Sequence, residues 1–163
     1  MPHIRLSRRE DLETLRSVFD AARQFMRATG NKQQWVNGYP SRERIMDDIR
    51  KKQSYALEND EGRLVATFCF FQGIEPNYSV ILDGKWLNDL PYGVIHRLAS
   101  DGTLPKVADI CIDWCFAACP NLRVDTHNDN AVMQNILRRK GFVECGLIFV
   151  EDGTPRIAFQ KTR

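Results

Sequence analysis

Two of the histidines and two of the acidic residues in this sequence are candidates for transferring a proton in catalysis. His96 and His127 are candidates for a general base, because imidazole titrates close to pH 7. Asp125 and Glu75 are further candidates. His127 directly follows a predicted strand, and it either serves catalysis or substrate contact or belongs to a hydrogen-bond network before the next helix. His96 alternates with apolar neighbours in its strand, so it either serves catalysis or simply faces one side of a sheet.

The cysteines suggest buried thiols more than a metal site. Their number is odd and no CxxC pair occurs, which favours reduced thiols in a cytosolic protein. Three of them are spaced four residues apart and would share one helix face. A metal site there is conceivable, but no histidine lies nearby in the sequence. Of the five cysteines, Cys69, Cys111, Cys115, Cys119 and Cys145, we therefore expect the three at 111, 115 and 119 to be small buried residues against a sheet, and we expect no metal.

The hydrophobic patterns that would position these residues predict the element order βααβββαβαββ. Strands are expected at residues 3–6, 54–57, 64–71, 93–99, 122–126, 142–150 and 155–160. The stretch from Gln72 to Pro91 is irregular and rich in aromatic residues. A connection this long inside a compact domain is more often a binding loop than an idle one.

Capping signals mark the helices. Ser7 and Glu10 fit a capping box for a first helix that ends at Gly30, and Ser41 caps a second, charged helix. Residues 106–118 are apolar around most of the helix circumference, which predicts a helix buried against a sheet. Asp129 or Asn130 caps the last helix.

Size and charge limit the classes of function. The chain has 163 residues and a formal net charge of +2, from 23 basic and 21 acidic residues. This suits one globular domain spanning residues 1–163, and the charge is too small to predict a nucleic-acid partner. No apolar run approaches the roughly 18 residues of a membrane span, and the N-terminus lacks a signal-peptide pattern. We expect a cytoplasmic protein without membrane or nucleic-acid partners.

The element order resembles the fold of the GCN5-related N-acetyltransferase (GNAT) family. Asn130 lies eleven residues before Gly141-Phe142, which is similar to the family pattern Asn-x(10)-Gly-Phe. Residues 123–134, with His127, Asn130 and Met133, and residues 155–159 resemble a bacterial subgroup of acetyltransferases. In that subgroup the residue pairs at 34–35, 39–40 and 96–97, and Trp86, have similar counterparts. The resemblance implies an α+β fold whose mixed, mostly antiparallel sheet contains two splayed central parallel strands.

The resemblance also implies acetyl-CoA as co-substrate and a set of residues that bind it. The backbone of Leu98, Ala99 and Ser100 would pair with the pantetheine arm, with Asn130 and Met133 nearby. The pyrophosphate would lie over the start of the helix after this strand, in the stretch that includes Thr103, Lys106, Val107 and Ala108. Arg138 and its neighbour Arg139 could reach the 3′-phosphate, or they are solvated charges at a helix end.

Two positions depart from the family pattern. The phosphate loop usually carries a glycine where this chain has Lys106, and Pro105 removes one N–H donor. Either the charge of Lys106 partly replaces the lost N–H contacts, or the site binds the cofactor poorly. Many members also carry a tyrosine that protonates the departing thiolate, and Leu137 occupies that position.

By resemblance, acetyl transfer to the amine of a small-molecule acceptor is the first hypothesis. Trp35, Tyr39, Tyr78 and Trp86, with Asp125, would form an acceptor cleft whose aromatic rings suit an amine or ammonium group. Alternatively, these rings cover the core from one side. The competing hypothesis is a catalytically weak or inactive fold relative that binds acyl-CoA or another ligand. Exposed C-terminal strands make a homodimer plausible.

Overall fold

The centre of the protein is a seven-stranded mixed sheet with the strand order β1-β2-β3-β4-β5-β7-β6. The computed structural model describes residues 1–163. Its strands are β1 (His3–Leu6), β2 (Ser54–Glu58), β3 (Leu64–Gln72), β4 (Gly93–Ser100), β5 (Asn121–Thr126), β6 (Val143–Phe149) and β7 (Pro155–Thr162). Its helices are α1 (Leu12–Ala28), α2 (Arg42–Arg50), α3 (Val107–Ala118) and α4 (Ala131–Arg139). The predicted element order and the α+β class are confirmed. None of the helices combines the length and the hydropathy that crossing a bilayer requires.

The one parallel pair in the sheet, β4 with β5, separates soon after it forms. Gly93 lies opposite Leu122 and Val94 opposite Arg123, and the register ends there. β5 nevertheless continues to pair with β7 as far as Thr126, and β4 continues to pair with β3 as far as Ser100. The two strands therefore diverge from Ile95 onward, which confirms the predicted splay.

A β-bulge turns the side chains of β4 just beyond this point. Thr67 faces Ala99 and Cys69 faces His96, so two residues of β4 lie opposite one residue of β3. One of the two, Arg97, has a φ of 51°, in the left-handed region. Its guanidinium donates to both oxygens of Asp48 on α2, at 2.7 Å from Nε and 2.9 Å from Nη2. This ion pair, with side chains 12% and 8% exposed, connects the strained position to α2.

Apolar side chains of α3 pack on one face of the sheet. Cys111, Ile112 and Cys115 are buried against strand residues such as Phe68 and Phe70. All five cysteines are free and buried, and burial raises the pKa of Cys111 to about 12. The prediction that Cys111, Cys115 and Cys119 pack against a sheet is confirmed.

The start of α1 differs from the predicted capping box. Ser7 is buried, and its hydroxyl accepts a hydrogen bond from Ser54 Oγ at 2.8 Å. A short 3-10 turn, Arg9–Asp11, precedes α1, and the Asp11 carboxylate accepts the N–H of Arg8 at 2.7 Å and forms an ion pair with Arg5. The capping signal was misplaced because the serine hydroxyl satisfies a buried contact between strands. At the other two predicted caps, Ser41 accepts the N–H of Arg44 and Asn130 accepts that of Met133.

The irregular segment 73–92 is held firmly against the sheet. The guanidinium of Arg123 lies between the rings of Trp86 and Tyr92, at 4.3 and 4.1 Å from their centroids. Leu82 exchanges two backbone hydrogen bonds with Leu147 on the edge strand β6. Gly84 passes so close to β6 that an added Cβ would lie 1.8 Å from the carbonyl oxygen of Cys145. The segment therefore has a defined path across the face opposite α3.

We predict that Asp48→Asn destabilises the protein by about 3–5 kcal/mol, because it leaves the Arg97 guanidinium buried without its counter-charge. The melting temperature should fall by roughly 10 °C in a thermal unfolding experiment. The control is Asp47→Asn on the same helix, which removes an exposed pair with Lys51. Equal shifts for the two variants would contradict the role assigned to the buried pair.

Candidate functional site

The divergence of β4 and β5 opens a cavity of about 840 Å³. Its walls come from both faces of the sheet, because the gap between the strands passes through it. On the α3 side the lining residues are Ile112, Val124, Thr126, Met133 and Leu137. On the other side it is lined by residues of segments 33–41, 74–77 and 150–152, with Arg156 on β7 and His96 and Arg97 on β4.

His96 and Glu75 form a hydrogen-bonded pair in this cavity. His96 Nε2 lies 2.9 Å from Glu75 Oε2, and both side chains are largely buried. Burial alone would raise the pKa of Glu75, but the hydrogen bond with His96 and the N–H of Asn77 outweigh it and leave this pKa below its usual range. An ionised carboxylate only accepts hydrogen bonds, so Nε2 of His96 must carry the hydrogen. In neutral His96 the lone pair is then on Nδ1, which suits this nitrogen to act as a base.

Asp125 is held in the cavity by a buried tyrosine. Tyr78 donates its hydroxyl hydrogen to Asp125 Oδ2 at 2.6 Å. Burial, reinforced by the nearby carboxylate, raises the pKa of Tyr78 well above its ordinary value, so the phenol keeps its proton. Tyr78 itself does not line the cavity, and neither does Trp86, whose Nε1 donates to the carbonyl oxygen of Tyr78 at 2.9 Å. Four aromatic residues were predicted to line an acceptor cleft, and these two instead cover the sheet. Tyr78 holds Asp125, and Trp86 holds Tyr78.

Trp35 and Tyr39 do line the cavity. The ring of Trp35 meets that of Phe19 edge-on at 5.6 Å, and its carbonyl oxygen accepts from Arg27. The hydroxyl of Tyr39 accepts from Arg97 Nη1 at 3.1 Å. Segment 33–41 thus contributes an aromatic wall that contacts α1 and the bulged part of β4.

His127 lies outside the cavity lining and belongs to the loop before α4. Its Nδ1 accepts the backbone N–H of Asp129 at 2.9 Å, and its carbonyl oxygen accepts from Asn130 and Gln134. Burial, followed by the positive charge of Arg156, lowers the pKa of His127. These contacts correspond to the hydrogen-bond network considered as the alternative to catalysis.

Asn130 connects α4 to segment 33–41 across the cavity. Its Oδ1 caps the helix, while its Nδ2 donates to Gln34 Oε1 at 3.0 Å. The same oxygen of Gln34 accepts from Asn31 Nδ2 at 2.8 Å. Sequence reasoning did not assign Gln34 a role, because nothing in the local pattern indicates that residues 96 positions apart are in contact.

The predicted cofactor residues follow one another along β4 and into α3. Leu98 lines the cavity, and Ala99 and Ser100 continue β4 beyond it. Thr103 is bound to Asp101 in the following turn, and Lys106 begins α3 with a φ of 58° and no capping side chain. The N–H groups at this helix start, including those of Val107 and Ala108, are therefore available to an anion. Lys106 adopts the left-handed conformation, which glycine tolerates best.

Arg138 lies apart from the cavity. It forms an exposed pair with Glu144 at 2.9 Å, while Arg139 pairs with Asp109 on α3. Leu137, at the position of the family's usual tyrosine, is fully buried in the cavity floor and carries no hydrogen-bonding group. No group of three or more histidine, cysteine, aspartate or glutamate residues is arranged to hold a metal ion.

Comparison with solved structures gives similarity over nearly the whole chain. A GNAT family acetyltransferase from Streptococcus agalactiae is 31% identical, with 99% of this chain and 95% of that chain covered and a TM-score of 0.90. GNAT family acetyltransferases from Listeria monocytogenes and Bacillus cereus share the fold at 15% identity, with 98% and 100% of this chain covered, 94% and 99% of theirs, and TM-scores of 0.71 and 0.62. No protein-family model matches the chain, and neither does any curated protein.

We predict that His127 makes the protein less stable as the pH falls below about 6.5. Its pKa is depressed in the folded chain, so the unfolded chain binds the proton more readily and acid favours unfolding. His127→Gln keeps an acceptor for the N–H of Asp129 but does not titrate. Melting temperatures at pH 7.5 and 5.5 should therefore fall more for the wild type than for this variant. An equal or larger loss in the variant would disprove the assignment.

Proposed function

Since the chain belongs to the GNAT family of acetyltransferases, we propose that it transfers an acetyl group from acetyl-CoA to the amine of a small molecule, by direct attack in a ternary complex. The observation that carries the proposal is the His96–Glu75 pair at the opening between β4 and β5. This places a basic nitrogen beside the strand edge that the family's co-substrate would occupy.

The residues present fit acetyl-CoA. From Ile95 onward the edge of β4 has no pairing with β5, so the backbone groups that point to this edge are free to bind amides. The uncapped start of α3 offers N–H groups and the positive end of the helix dipole to phosphates. When bound, acetyl-CoA would supply an acetyl group activated as a thioester.

Proton removal from the acceptor falls to His96. Nδ1 would take the proton of the attacking amine, and the Glu75 carboxylate would hold the ring and stabilise the imidazolium that forms. Asp125, fixed by Tyr78, adds a second negative charge that favours an ammonium group in the cavity. Both carboxylates therefore draw a cationic amine toward the base.

The leaving thiolate receives no proton donor from position 137. Ordinary thiols have pKa values near 8.5, so a thiolate can depart without a general acid. We propose that the apolar floor formed by Met133 and Leu137 serves to exclude water, while protonation of the thiolate occurs after departure.

Two features of the phosphate loop favour a second function, ligand binding without turnover. Lys106 holds a left-handed conformation that costs a non-glycine residue about 1–2 kcal/mol, and Pro105 removes an N–H donor from the phosphate loop. A ligand-binding protein without turnover would tolerate these features. Release of CoA thiol from acetyl-CoA in the presence of an amine panel separates the two functions, since only the enzyme produces thiol in proportion to amine.

We predict that His96→Ala lowers kcat by about 10²–10⁴-fold, which is the usual effect of losing a general base. The Michaelis constant for acetyl-CoA should change little, because the β4 backbone and the start of α3 remain. Glu75→Gln should show a smaller loss, since a glutamine oxygen can still accept from Nε2 but carries no charge.

The matched comparison is His127→Ala, which removes the other candidate histidine. Its kcat should stay close to that of the wild type. A large loss in His127→Ala together with a small one in His96→Ala would reassign the base to His127.

A further inference from the structure

Arg156 is a cavity-lining arginine without a carboxylate partner. It lies on β7, and its Nη1 donates to Thr154 Oγ1 at 2.8 Å and to the carbonyl oxygen of Pro155 at 3.0 Å. Its Nε and Nη2 have no hydrogen-bond partner in the protein. A guanidinium carries five N–H donors in a planar fork, so most of the donors of Arg156 remain free for a ligand.

The other cations of the cavity already have carboxylate partners. Arg97 is bound to Asp48 by two hydrogen bonds. Arg44 and Lys51 both pair with Asp47 at the rim. Arg156, by contrast, has no such partner, and its positive charge helps to lower the pKa of His127.

Strand register places Arg156 beside Asp125. Asp125 lies opposite Ala158 in the antiparallel pair of β5 and β7, and Arg156 lies two residues before Ala158 on β7. Residues two apart on a strand share a face, and such diagonal neighbours have Cα atoms about 7–8 Å apart. The two side chains nevertheless form no ion pair. Asp125 Oδ2 accepts from Tyr78, and Nη1 of Arg156 donates to Thr154.

The cavity therefore presents separate charges of opposite sign to one ligand. We propose that the acceptor is a small zwitterion, an amino acid whose carboxylate binds Arg156 while its amine lies between Asp125 and the His96–Glu75 pair. This inference rests on the proposed function and specifies its substrate. Arginine and a carboxylate form paired charge-assisted hydrogen bonds, which would fix the orientation of the amine toward His96.

The surroundings favour a single carboxylate over a phosphate. Glu151 and Asp152 also line the cavity, in the exposed turn next to Arg156, and neither forms an ion pair with it. Two nearby negative charges would repel a dianion more strongly than a monoanion. The rings of Trp35, Tyr39 and Phe71 offer an apolar surface to the amino-acid side chain.

The test compares amino acids with their decarboxylated counterparts, such as phenylalanine with phenethylamine and lysine with cadaverine, as acceptors for acetyl transfer. For the amino acids that react best, the kcat/KM of the wild type should be about 10–100-fold higher than for their decarboxylated counterparts. This is the usual contribution of hydrogen bonds between charged groups. Arg156→Gln should lose this preference by raising KM for the amino acid, while the decarboxylated amine reacts within about threefold of its wild-type rate. Arg156→Lys should retain part of the preference, and Arg50→Gln, an exposed charge outside the cavity, should retain all of it.

The outcomes separate this inference from the proposed function. If decarboxylated amines react as well as amino acids, and Arg156→Gln affects both alike, the zwitterion is wrong while acetyl transfer stands. If no amine is acetylated, the proposed function fails. The inference is then tested by the binding of the amino acids and amines themselves. Calorimetric titration of the same acceptor pairs in the presence of CoA should then show weaker binding to Arg156→Gln for the amino acids alone. Equal binding by wild type and variant would overturn it.

Discussion

The separation of β4 from β5 after two paired residues is the constraint on which the rest of this structure depends. It leaves backbone groups in the middle of a sheet without strand partners, which is costly unless a ligand or water satisfies them. It also joins the two faces of the sheet into one cavity, with α3 and α4 on one side and segments 33–41 and 73–92 on the other. The bulge at Arg97, fixed by Asp48, turns the side chains of β4 within this opening.

The electrostatics of the cavity follow from how each charged group is supported. Glu75 stays ionised because His96 and a backbone N–H compensate for its burial, and Tyr78 stays protonated because it is buried beside Asp125. Segment 73–92 supplies both Glu75 and Tyr78, and it is anchored through the aromatic sandwich around Arg123. The long irregular connection therefore holds Glu75 and Tyr78 in defined positions beside the sheet. Arg156 adds a positive charge to the cavity, and it forms no ion pair with the acidic residues there.

The element order and the capping role of Asn130 could be predicted because they depend on local periodicity and on short-range signals. The splay was predicted only through the resemblance to the GNAT family. His96 was a candidate because it stands in a recognisable strand. Its partner Glu75 and the contact of Gln34 with Asn130 join distant parts of the chain, and no local pattern encodes them. Tyr78 and Trp86 were expected in the cleft because aromatic composition does not reveal which way a loop residue faces. Ser7 was misread as a cap for a related reason, because its hydroxyl serves a neighbouring strand.

The most direct test of this account is amide hydrogen exchange with and without saturating acetyl-CoA, resolved to short peptides or single residues. Binding in the splay predicts slower exchange in residues 95–100 of β4 and in residues 106–109 at the start of α3. The edge strand β6 should be unaffected, because it lies on the far side of β7. Protection confined to other segments, or no protection at all, would contradict the claim that the divergence of β4 and β5 is the acetyl-CoA site.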